Sequence, residues 1–516
     1  KETSKDTGII GHFGLGFYSS FMVSDTVEII TKSFKDEPAA HWICDGSPEY
    51  SLKKSEKKER GTEIILHISK DSKDYLEESK ISELLNKYNK FMHHPIKFGT
   101  KEETIPGKEG EKEEKITVDN IINNPNPAWT KPPADLKDED YKQFYRELYP
   151  YQFEEPLFHI HLNVDYPFNL TGILYFPKIS NDLNLQKDRI QLYQNQVFVT
   201  DNVEGIVPEF LGLLKGVIDS PDIPLNVSRS YLQSDASVKK ITNYITRKVA
   251  DKLNSIFKNE RENLESKWND IKVVIEYGML TEDKFYDKAE SFNLYPTVDD
   301  KYFTYEELEK KIKKLQTDKD GNLIILYAQN KDEQYTYIES AKEKGYEVLL
   351  LDSPIIPHLM QKLESKKEKV KFSRVDSDTL ENLIKKDEEV ISKLTDEEKE
   401  KLKPMIETAV ENEKYTVQLE ALDSNSMPFM LAQPEFMRRM KEMQQTGGGA
   451  MGNLPDMYSL IVNTNHELVG KILNTRTEKK RNSLIKQSID LAKLSQNNLT
   501  GKDLTEFINR SIDLIK

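Results

Sequence analysis

A charged stretch with no apolar periodicity divides this chain of 516 residues and limits the folds that it can adopt. Residues 101–115 read KEETIPGKEGEKEEK, and the Asn-Pro repeats at residues 124–127 prolong the irregular composition. Such a stretch cannot offset the entropy of its own ordering by burying apolar side chains. We therefore predict a charged linker over residues 99–127, with separately folded parts before and after it.

The part before the linker, residues 1–98, has the pattern of an incomplete α/β domain. Residues 23–31 (VSDTVEIIT) and 61–68 (GTEIILHI) are short runs rich in β-branched residues, which predict strands. Helical spacing follows over residues 75–92. The chain starts at Lys1, and a glycine-rich loop comes almost at once, so we expect a fragment that holds only the C-terminal half of this domain.

The part after the linker begins with two predicted hairpins and a long helix. Apolar residues alternate over 158–164 and 170–176, and again over 189–200 about the Gln194-Asn195 pair. The helix starts near Val238, where apolar residues recur at three- and four-residue spacings. This combination is typical of an α+β domain.

Residues 290–365 predict a smaller strand–helix–strand unit. The runs 322–328 and 346–351 are continuously apolar and flank a helical pattern over 332–344, which is typical of a parallel pair of strands. Asp352 ends the second strand, and we favour a local capping role for it over a functional one.

The end of the chain predicts two adjacent apolar helices, the first over residues 478–499. One face of the last helix carries Leu504, Phe507, Ile508, Ile512 and Ile515. Two short helices this apolar cannot bury their faces on each other alone. A four-helix bundle formed by two chains over residues 478–515 is the simplest completion.

Composition excludes several classes of function. Lys and Arg number 74 against 88 Asp and Glu, a net charge of −14, which disfavours nucleic acid or an anionic membrane as the main partner. No run approaches the ~20 apolar residues that span a bilayer. The single cysteine, Cys44, excludes a disulfide framework and cysteine-cluster metal sites, and suits a reducing, cytoplasmic setting. No histidine has partners at metal-binding spacing, so we predict no metal site.

Two motifs could meet an anionic ligand. Residues 11–17 (GHFGLGF) fit G-x-x-G-x-G, and such glycines allow backbone N–H groups to approach a phosphate, although an ordinary glycine turn has the same pattern. Asn226 and Arg229 follow a Pro-rich loop, with Gln233 shortly after. A guanidinium held there could reach an anion, and a local ion pair is the alternative.

Two further features could contact a protein partner. Trp129 follows the linker and could be a hydrophobic contact surface or an aromatic packed at a domain edge. One helical face gathers Phe436, Met437, Met440 and Met443. Methionine is flexible and polarizable, so this face suits binding of varied partners, with core packing as the alternative.

In this order, these pieces resemble the ninety-kilodalton heat-shock protein family of chaperones, most closely its bacterial branch. Residues 9–23 (IIGHFGLGFYSSFMV) resemble the family's second ATP-lid glycine box, and residues 129–149 resemble the start of its middle domain. Residues 216–233 (GVIDSPDIPLNVSRSYLQ) resemble its catalytic loop and are highly specific. MPFMLAQPEFMRRM, VNTNHELV and the final helix pair resemble its C-terminal domain.

The resemblance implies an α+β multidomain fold. It would comprise a partial GHKL-type ATPase α/β sandwich over residues 1–98, an α/β middle domain over 128–368 with parts 128–275 and 290–365, and a mainly helical C-terminal dimerisation domain over 369–516. It also implies ATP with Mg²⁺ as cofactor, a homodimer, unfolded or partly folded client proteins and co-chaperones as partners, and neither nucleic acid nor membrane.

The resemblance also assigns residues to roles. Gly14, Leu15, Gly16 and Phe17 would meet the nucleotide phosphates, and Thr62 would lie near the adenine. Arg229 would reach the γ-phosphate as an arginine finger, with Asn226 and Gln233 supporting its loop. The client contacts would be Trp129, Phe436, Met437, Met440 and Met443.

Departures from the family limit what we expect of this chain. The family's helix with its general-base Glu and magnesium-binding Asn would precede Lys1, as would its adenine-reading Asp-x-Gly-x-Gly segment. We therefore expect this chain to bind no nucleotide and to hydrolyse none. His12 replaces the usual Gln in the lid box. A non-enzymatic dimeric client-binding scaffold, and another member of the gyrase/kinase/mismatch-repair ATPase superfamily, remain alternatives.

Overall fold

The computed structural model describes residues 16–105, 114–178, 190–203, 205–223, 236–387, 390–410, 414–447 and 457–515. The chain forms two compact units, the first made of residues 1–178 and 184–249 and the second of residues 179–183 and 250–516. Helices and strands are mixed in both, which confirms an α+β class.

The first unit opens with a four-stranded antiparallel sheet in the order β3-β2-β1-β4. The strands predicted at residues 23–31 and 61–68 are β1 and β4, side by side. The elements are 3-10 helices Gly16–Met22 and Lys70–Leu76, strands β1 (Ser24–Lys32), β2 (Ala39–Cys44), β3 (Ser51–Ser55) and β4 (Gly61–Ile68), and helix α1 (Glu78–Tyr88).

The predicted linker contains regular structure. Strands β5 (Lys97–Ile105) and β6 (Glu114–Ile121) form an antiparallel ladder. The expectation that this segment lacks secondary structure is therefore wrong for its described residues. A ladder satisfies backbone N–H and C=O groups without burying side chains, so a charged, exposed sequence can still form a hairpin.

A mixed five-stranded sheet in the order β10-β9-β11-β8-β7 follows. The predicted hairpin of residues 158–176 is confirmed, with Phe158 opposite Phe176. The second hairpin turns at Asn195 and Gln196, both at positive φ, one residue later than predicted. The elements are α2 (Asp138–Leu148), β7 (Phe158–Val164), β8 (Leu170–Phe176), β9 (Ile190–Gln194), β10 (Val197–Thr200), β11 (Lys215–Asp219) and the predicted long helix α3 (Ala236–Asn259).

The second unit contains a buried parallel sheet in the order β15-β14-β16. The predicted parallel pair is confirmed. The elements are α4 (Arg261–Ser266), α5 (Trp268–Thr281), α6 (Asp283–Ala289), β12 (Tyr295–Pro296), β13 (Tyr302–Phe303), α7 (Tyr305–Ile312), β14 (Leu323–Ala328), α8 (Tyr335–Glu343), β15 (Val348–Leu350), α9 (Ile356–Lys366), β16 (Val370–Arg374) and α10 (Leu380–Leu383). The sequence missed β16, and the predicted boundary at 368/369 falls before this third strand.

The rest of the second unit packs helices on a three-stranded sheet in the order β17-β19-β18. Leu402, Leu460 and Ile485 are buried in its core. The elements are α11 (Asp396–Glu407), β17 (Tyr415–Glu420), β18 (Phe429–Ala432), α12 (Glu435–Gly447), β19 (Tyr458–Asn463), α13 (Glu467–Asn474), α14 (Glu478–Ser495) and α15 (Gly501–Ile515). Among the described residues, no helix is both long and apolar enough to cross a membrane.

Candidate nucleotide and client-binding sites

Of the glycine-box residues, Gly14 and Leu15 lie outside the described residues, whereas Gly16 and Phe17 begin the first 3-10 helix. The Phe17 ring makes an edge contact with Trp42 of β2, at 5.8 Å between centroids. Apart from its neighbours along the chain, no atom of the described residues lies within 4 Å of the place where a Cβ on Gly16 would sit. The described residues therefore leave space beside Gly16.

Thr62 lies exposed at the start of β4. Its hydroxyl oxygen is 2.8 Å from that of Thr31, its register partner on β1. Because β2 and β4 flank β1 on opposite sides, Phe17 and Thr62 are associated with strands that lie about 10 Å apart, two interstrand spacings. Phe17 and Thr62 thus contact strands β2 and β1, respectively.

Asn226, Arg229 and Gln233 lie outside the described residues, but the chain leading to them is firmly held. Ser220 donates a hydrogen bond of 2.6 Å to the carbonyl of Asn169. The Asp222 carboxylate accepts from the backbone and side-chain nitrogens of Asn169, at 2.5 and 3.3 Å. The described residues that precede the predicted catalytic residues are therefore anchored to the β7–β8 turn.

Trp129 is fully buried, among Phe91, Phe144 and Tyr193. Its indole N–H donates to the Asp219 carboxylate at 3.3 Å. Burial raises the pKa of Asp219, although hydrogen bonds from the backbone of Gln196 and from Trp129 act against it. Trp129 therefore does not form an exposed contact for a client in this structure. Its position matches the alternative, an aromatic side chain packed against its neighbours.

Helix α12, which holds the methionine-rich motif, presents its charged side chains to the small parallel sheet. Glu435 accepts hydrogen bonds from Tyr327 of β14 at 2.8 Å and from the backbone N–H of Arg374 at 3.1 Å. Arg438 and Arg439 of the same helix both donate to Glu435 at 2.6 Å. We call this set, completed by the partners below, the α12 ion network.

The network reaches further along α9, β16 and α12. Arg439 pairs with Glu364 of α9 at 2.8 Å, and Arg438 with Glu442 at 2.5 Å. Arg374 holds both oxygens of Asp376, at 2.5 and 3.0 Å. Since buried charges are costly unless paired, these ion pairs explain how a charged helix face can pack against a core, although Arg438 Nε has no hydrogen-bond partner among the described residues.

The pKa values of Glu435 and Arg438 show how burial and opposite charges compete in the network. Burial alone would raise the pKa of Glu435, but the positive charges of Arg438 and Arg439 outweigh it and hold that pKa at about 2. Burial would lower the pKa of Arg438, and Tyr327 and the carboxylates of Glu435 and Glu442 reverse the shift. Glu435, Arg438 and Arg439 are therefore charged at neutral pH.

The other side of α12 carries the predicted client contacts. Phe436 is 70% exposed, and Met437, Met440 and Met443 are half-buried. The helix is thus inverted relative to a usual surface helix, because Glu435, Arg438 and Arg439 face the protein and the most exposed side chain over residues 435–443 is the apolar Phe436.

The α12 ion network was missed by sequence reasoning. A partial pattern is visible, since Glu435, Arg438, Arg439 and Glu442 recur at the spacing of one helical face. Their partners Tyr327, Glu364 and Arg374 are 61 to 108 residues away in sequence. No local pattern indicates such contacts.

The two terminal helices α14 and α15 are paired. Arg510 forms an ion pair with the buried Asp490, and Gln487 donates to Ser511 at 2.8 Å. Several apolar side chains remain exposed on them: Leu491, Leu494, Ile508, Ile512 and Ile515. The pair thus buries part of its apolar surface and leaves the rest free.

In the described part of the chain, no group of three or more His, Cys, Asp or Glu side chains is placed to hold a metal ion.

Comparisons with known proteins identify the family. The model of the Hsp90 protein family matches residues 99–510. Chaperone protein HtpG of Bacteroides thetaiotaomicron is 49% identical over 98% of this chain and 84% of its own length. HtpG of Porphyromonas gingivalis is 53% identical over 94% and 71%, and that of Clostridium perfringens 30% identical over 98% and 82%. This chain therefore belongs to the Hsp90 family, and its relatives are bacterial HtpG chaperones.

Proposed function

We propose that this protein is an ATP-dependent molecular chaperone of the bacterial cytoplasm, which binds and remodels unfolded or partly folded clients through a dimeric, ATP-driven clamp cycle. Chaperones of the Hsp90 family are in general homodimeric ATPases that bind clients. The observation that carries the client part of the proposal is the inverted helix α12.

The reasoning from α12 rests on what each side of it can do. The α12 ion network fixes the helix through charge-assisted hydrogen bonds, so the exposed ring of Phe436 is not needed to hold it in place. Exposed Phe436 and flexible methionines beside it can adapt to different apolar segments. A rigidly seated, adaptable apolar surface suits clients that share no sequence.

The nucleotide part of the proposal rests on fewer described residues. The open space at Gly16 would let a phosphate oxygen approach the backbone, as the roles of Gly14, Leu15, Gly16 and Phe17 require. Bound ATP with Mg²⁺ would supply the free energy of the cycle. Arg229 would contribute positive charge where negative charge develops, and Thr62 would contact the base.

The dimer would form through residues 478–515. The exposed apolar side chains of α14 and α15 support this, since a second copy of the pair would bury them in a four-helix bundle.

The client surface can be tested by comparing two Phe→Ser changes. Phe436→Ser removes the exposed ring of α12, and Phe153→Ser removes a ring that is 97% exposed elsewhere. We expect the unmodified protein to suppress aggregation of a heat-unfolded test protein, Phe436→Ser to suppress it several-fold less, and Phe153→Ser to act like the unmodified protein. Equal suppression by both variants would exclude α12 as the client surface.

The ATP part has a separate test. In a chain that also carries the family's general-base Glu and magnesium-binding Asn, Arg229→Ala should lower phosphate release at least tenfold while leaving nucleotide affinity almost unchanged, because the residue acts on the transition state. Lys239→Ala, an exposed change on α3, is the control. Unchanged turnover in Arg229→Ala would remove Arg229 from the mechanism. If a chain with that Glu and Asn suppressed aggregation without any ATP turnover, the protein would instead be the non-enzymatic scaffold.

A further inference from the structure

The second unit contains a cleft of about 620 Å³, on surfaces other than α12. One wall is α8, with Thr336, Ser340 and Glu343. The other walls are residues 378–381, at the start of α10, and residues 422–430, which lead into β18. We call it the α8 cleft. Its volume lies within the range of ~300–1,000 Å³ that is usual for ligand pockets.

The charge of the α8 cleft is strongly acidic. Glu343, Asp378, Glu381 and Asp423 line it, against a single cation, Lys344. Lys344 is already paired with Glu381 at 2.6 Å. In the described part of the chain, no Lys, Arg or His nitrogen lies within 4.0 Å of the carboxylates of Glu343, Asp378 or Asp423.

Two of these carboxylates are also held in position. Asp378 accepts hydrogen bonds through one oxygen, from the backbone N–H of Thr379 at 2.7 Å and from the Asn382 amide at 3.1 Å. One oxygen of Asp423 accepts from the backbone N–H of Asn425 at 2.8 Å. The second oxygen of each carboxylate keeps its capacity to accept from a ligand.

The remaining lining is apolar and adaptable. Met427 and Met430 are half-buried, Leu422 is buried, and Val390 is 47% exposed. Methionine side chains can repack around different partners. A ligand that fits both features has positive charge beside apolar surface.

We propose that the α8 cleft binds a polypeptide segment in which basic and apolar residues adjoin. Its Lys or Arg side chains pair with Glu343, Asp378 and Asp423, while its apolar side chains lie on Met427 and Met430. This site goes beyond the client surface proposed on α12, because no residue of that helix lines the cleft. The molecule then has a second contact surface with a charge preference that α12 lacks.

The test uses a short fluorescein-labelled peptide of alternating arginine and leucine, with fluorescence anisotropy as readout. The triple variant Glu343→Gln, Asp378→Asn and Asp423→Asn keeps the shape of the cleft and the acceptor oxygens that hold its walls. We expect its affinity to be about tenfold weaker or more, with a smaller dependence on salt concentration. The same peptide with glutamate in place of arginine should not bind the unmodified protein.

A matched control removes the same number of charges outside the cleft. Asp300→Asn, Asp332→Asn and Glu333→Gln change exposed carboxylates of the same unit and should leave the affinity unchanged. Ser340→Trp fills the cleft from α8 and should abolish binding without changing its charge. Circular dichroism establishes that each variant is folded.

The outcomes separate this site from the client surface. If the cleft triple variant and Ser340→Trp bind the peptide like the unmodified protein, the proposal is overturned. It is equally overturned if Phe436→Ser alone removes binding, because the peptide would then lie on α12. Loss of aggregation suppression in Phe436→Ser with unchanged peptide affinity supports both sites.

Discussion

The N-terminal sheet and the parallel sheet of the second unit have similar strands in very different surroundings. β4 reads GTEIILHI, and six of its eight residues are exposed, including Ile64 and Leu66. β14 reads LIILYA, and all six residues are buried. Both runs are apolar enough to belong to a core.

The difference lies in what covers each strand. β14 pairs on both sides, and Ile324 and Leu326 pack in one cluster with Tyr337 and Ile338 of α8. β4 is an edge strand that pairs only with β1 in the described sheet. An apolar strand thus becomes part of a core where a second layer of structure covers it. The composition of the strand alone does not determine whether it is covered.

The largest effect should come from the charged layer on β14. Glu435→Gln leaves Arg438 and Arg439 without their shared carboxylate, so we expect a loss of about 3–5 kcal/mol in the free energy of unfolding, the usual result of breaking a buried pair. Glu28→Gln is the matched change in the N-terminal sheet, where Glu28 contacts His41 and His67 near the surface, and should have little effect. Urea denaturation measures both, and similar losses would contradict the comparison.

A matched pair of leucines tests the apolar layers. Leu326→Ala in β14 empties space in a closed core and should cost about 2–5 kcal/mol. Leu66→Ala in β4 starts from a side chain that is 37% exposed and should cost less than about 1 kcal/mol. The midpoints of urea denaturation give the two values. Equal losses would mean that Leu66 is as well covered as Leu326.

The stability of the second unit and that of the N-terminal sheet should also change with pH in opposite directions. Burial raises the pKa of Glu276 on α5 to about 7, although Ser353 and Lys272 lower it. The folded state therefore holds a proton that the unfolded state releases, and stability falls by about 3 kcal/mol as pH rises from ~4.5 to ~7. His67 and His41 lower the pKa of Glu28, so its contribution is present above the unfolded pKa and is lost as pH falls.

Melting temperature against pH measures the first of these effects. Glu276→Gln should flatten the fall between pH ~4.5 and ~7, because the neutral amide has no proton to release. Glu262→Gln, an exposed change on α4, should leave the profile unaltered. A Glu276→Gln profile parallel to that of the unmodified protein would show that Glu276 titrates normally.

The smallest change in free energy is expected at the surface of β4. Ile64 is 56% exposed, so Ile64→Lys should alter stability by less than about 0.5 kcal/mol. It should nevertheless raise solubility, because a charge on an edge strand opposes pairing with other chains. The converse change, Lys53→Ile on β3, should lower it. Sedimentation after mild heating measures both, and a strongly destabilised Ile64→Lys would show that the side chain is packed.

The elements that could be predicted from sequence are those that local patterns determine. The hairpin of residues 158–176 follows from alternation, and α14 and α15 follow from helical spacing. β16 was missed because its parallel partner, β14, lies more than 40 residues earlier, with two helices and β15 between them. The burial of Trp129 was undecided because its neighbours come from α2 and β9.

In the candidate site too, the residues on one helix could be predicted from sequence and their distant partners could not. The methionine face of α12 was visible as a run of residues on one helix. The residues that fix the helix were not, because Tyr327, Glu364 and Arg374 come from three other elements. Sequence patterns thus indicated the proposed client surface and missed the residues that support it.

The inverted packing of α12 has a consequence for warming. The cost of removing charges from water falls as temperature rises, so the contacts that seat this helix lose less of their strength on heating than an uncharged polar contact would. Attraction between apolar surfaces weakens on cooling, so the client surface proposed at Phe436 and its methionine neighbours would bind more tightly in warm solution than in cold. Heating should therefore favour the proposed client binding at this helix, while the ion pairs of the α12 ion network keep the helix in place.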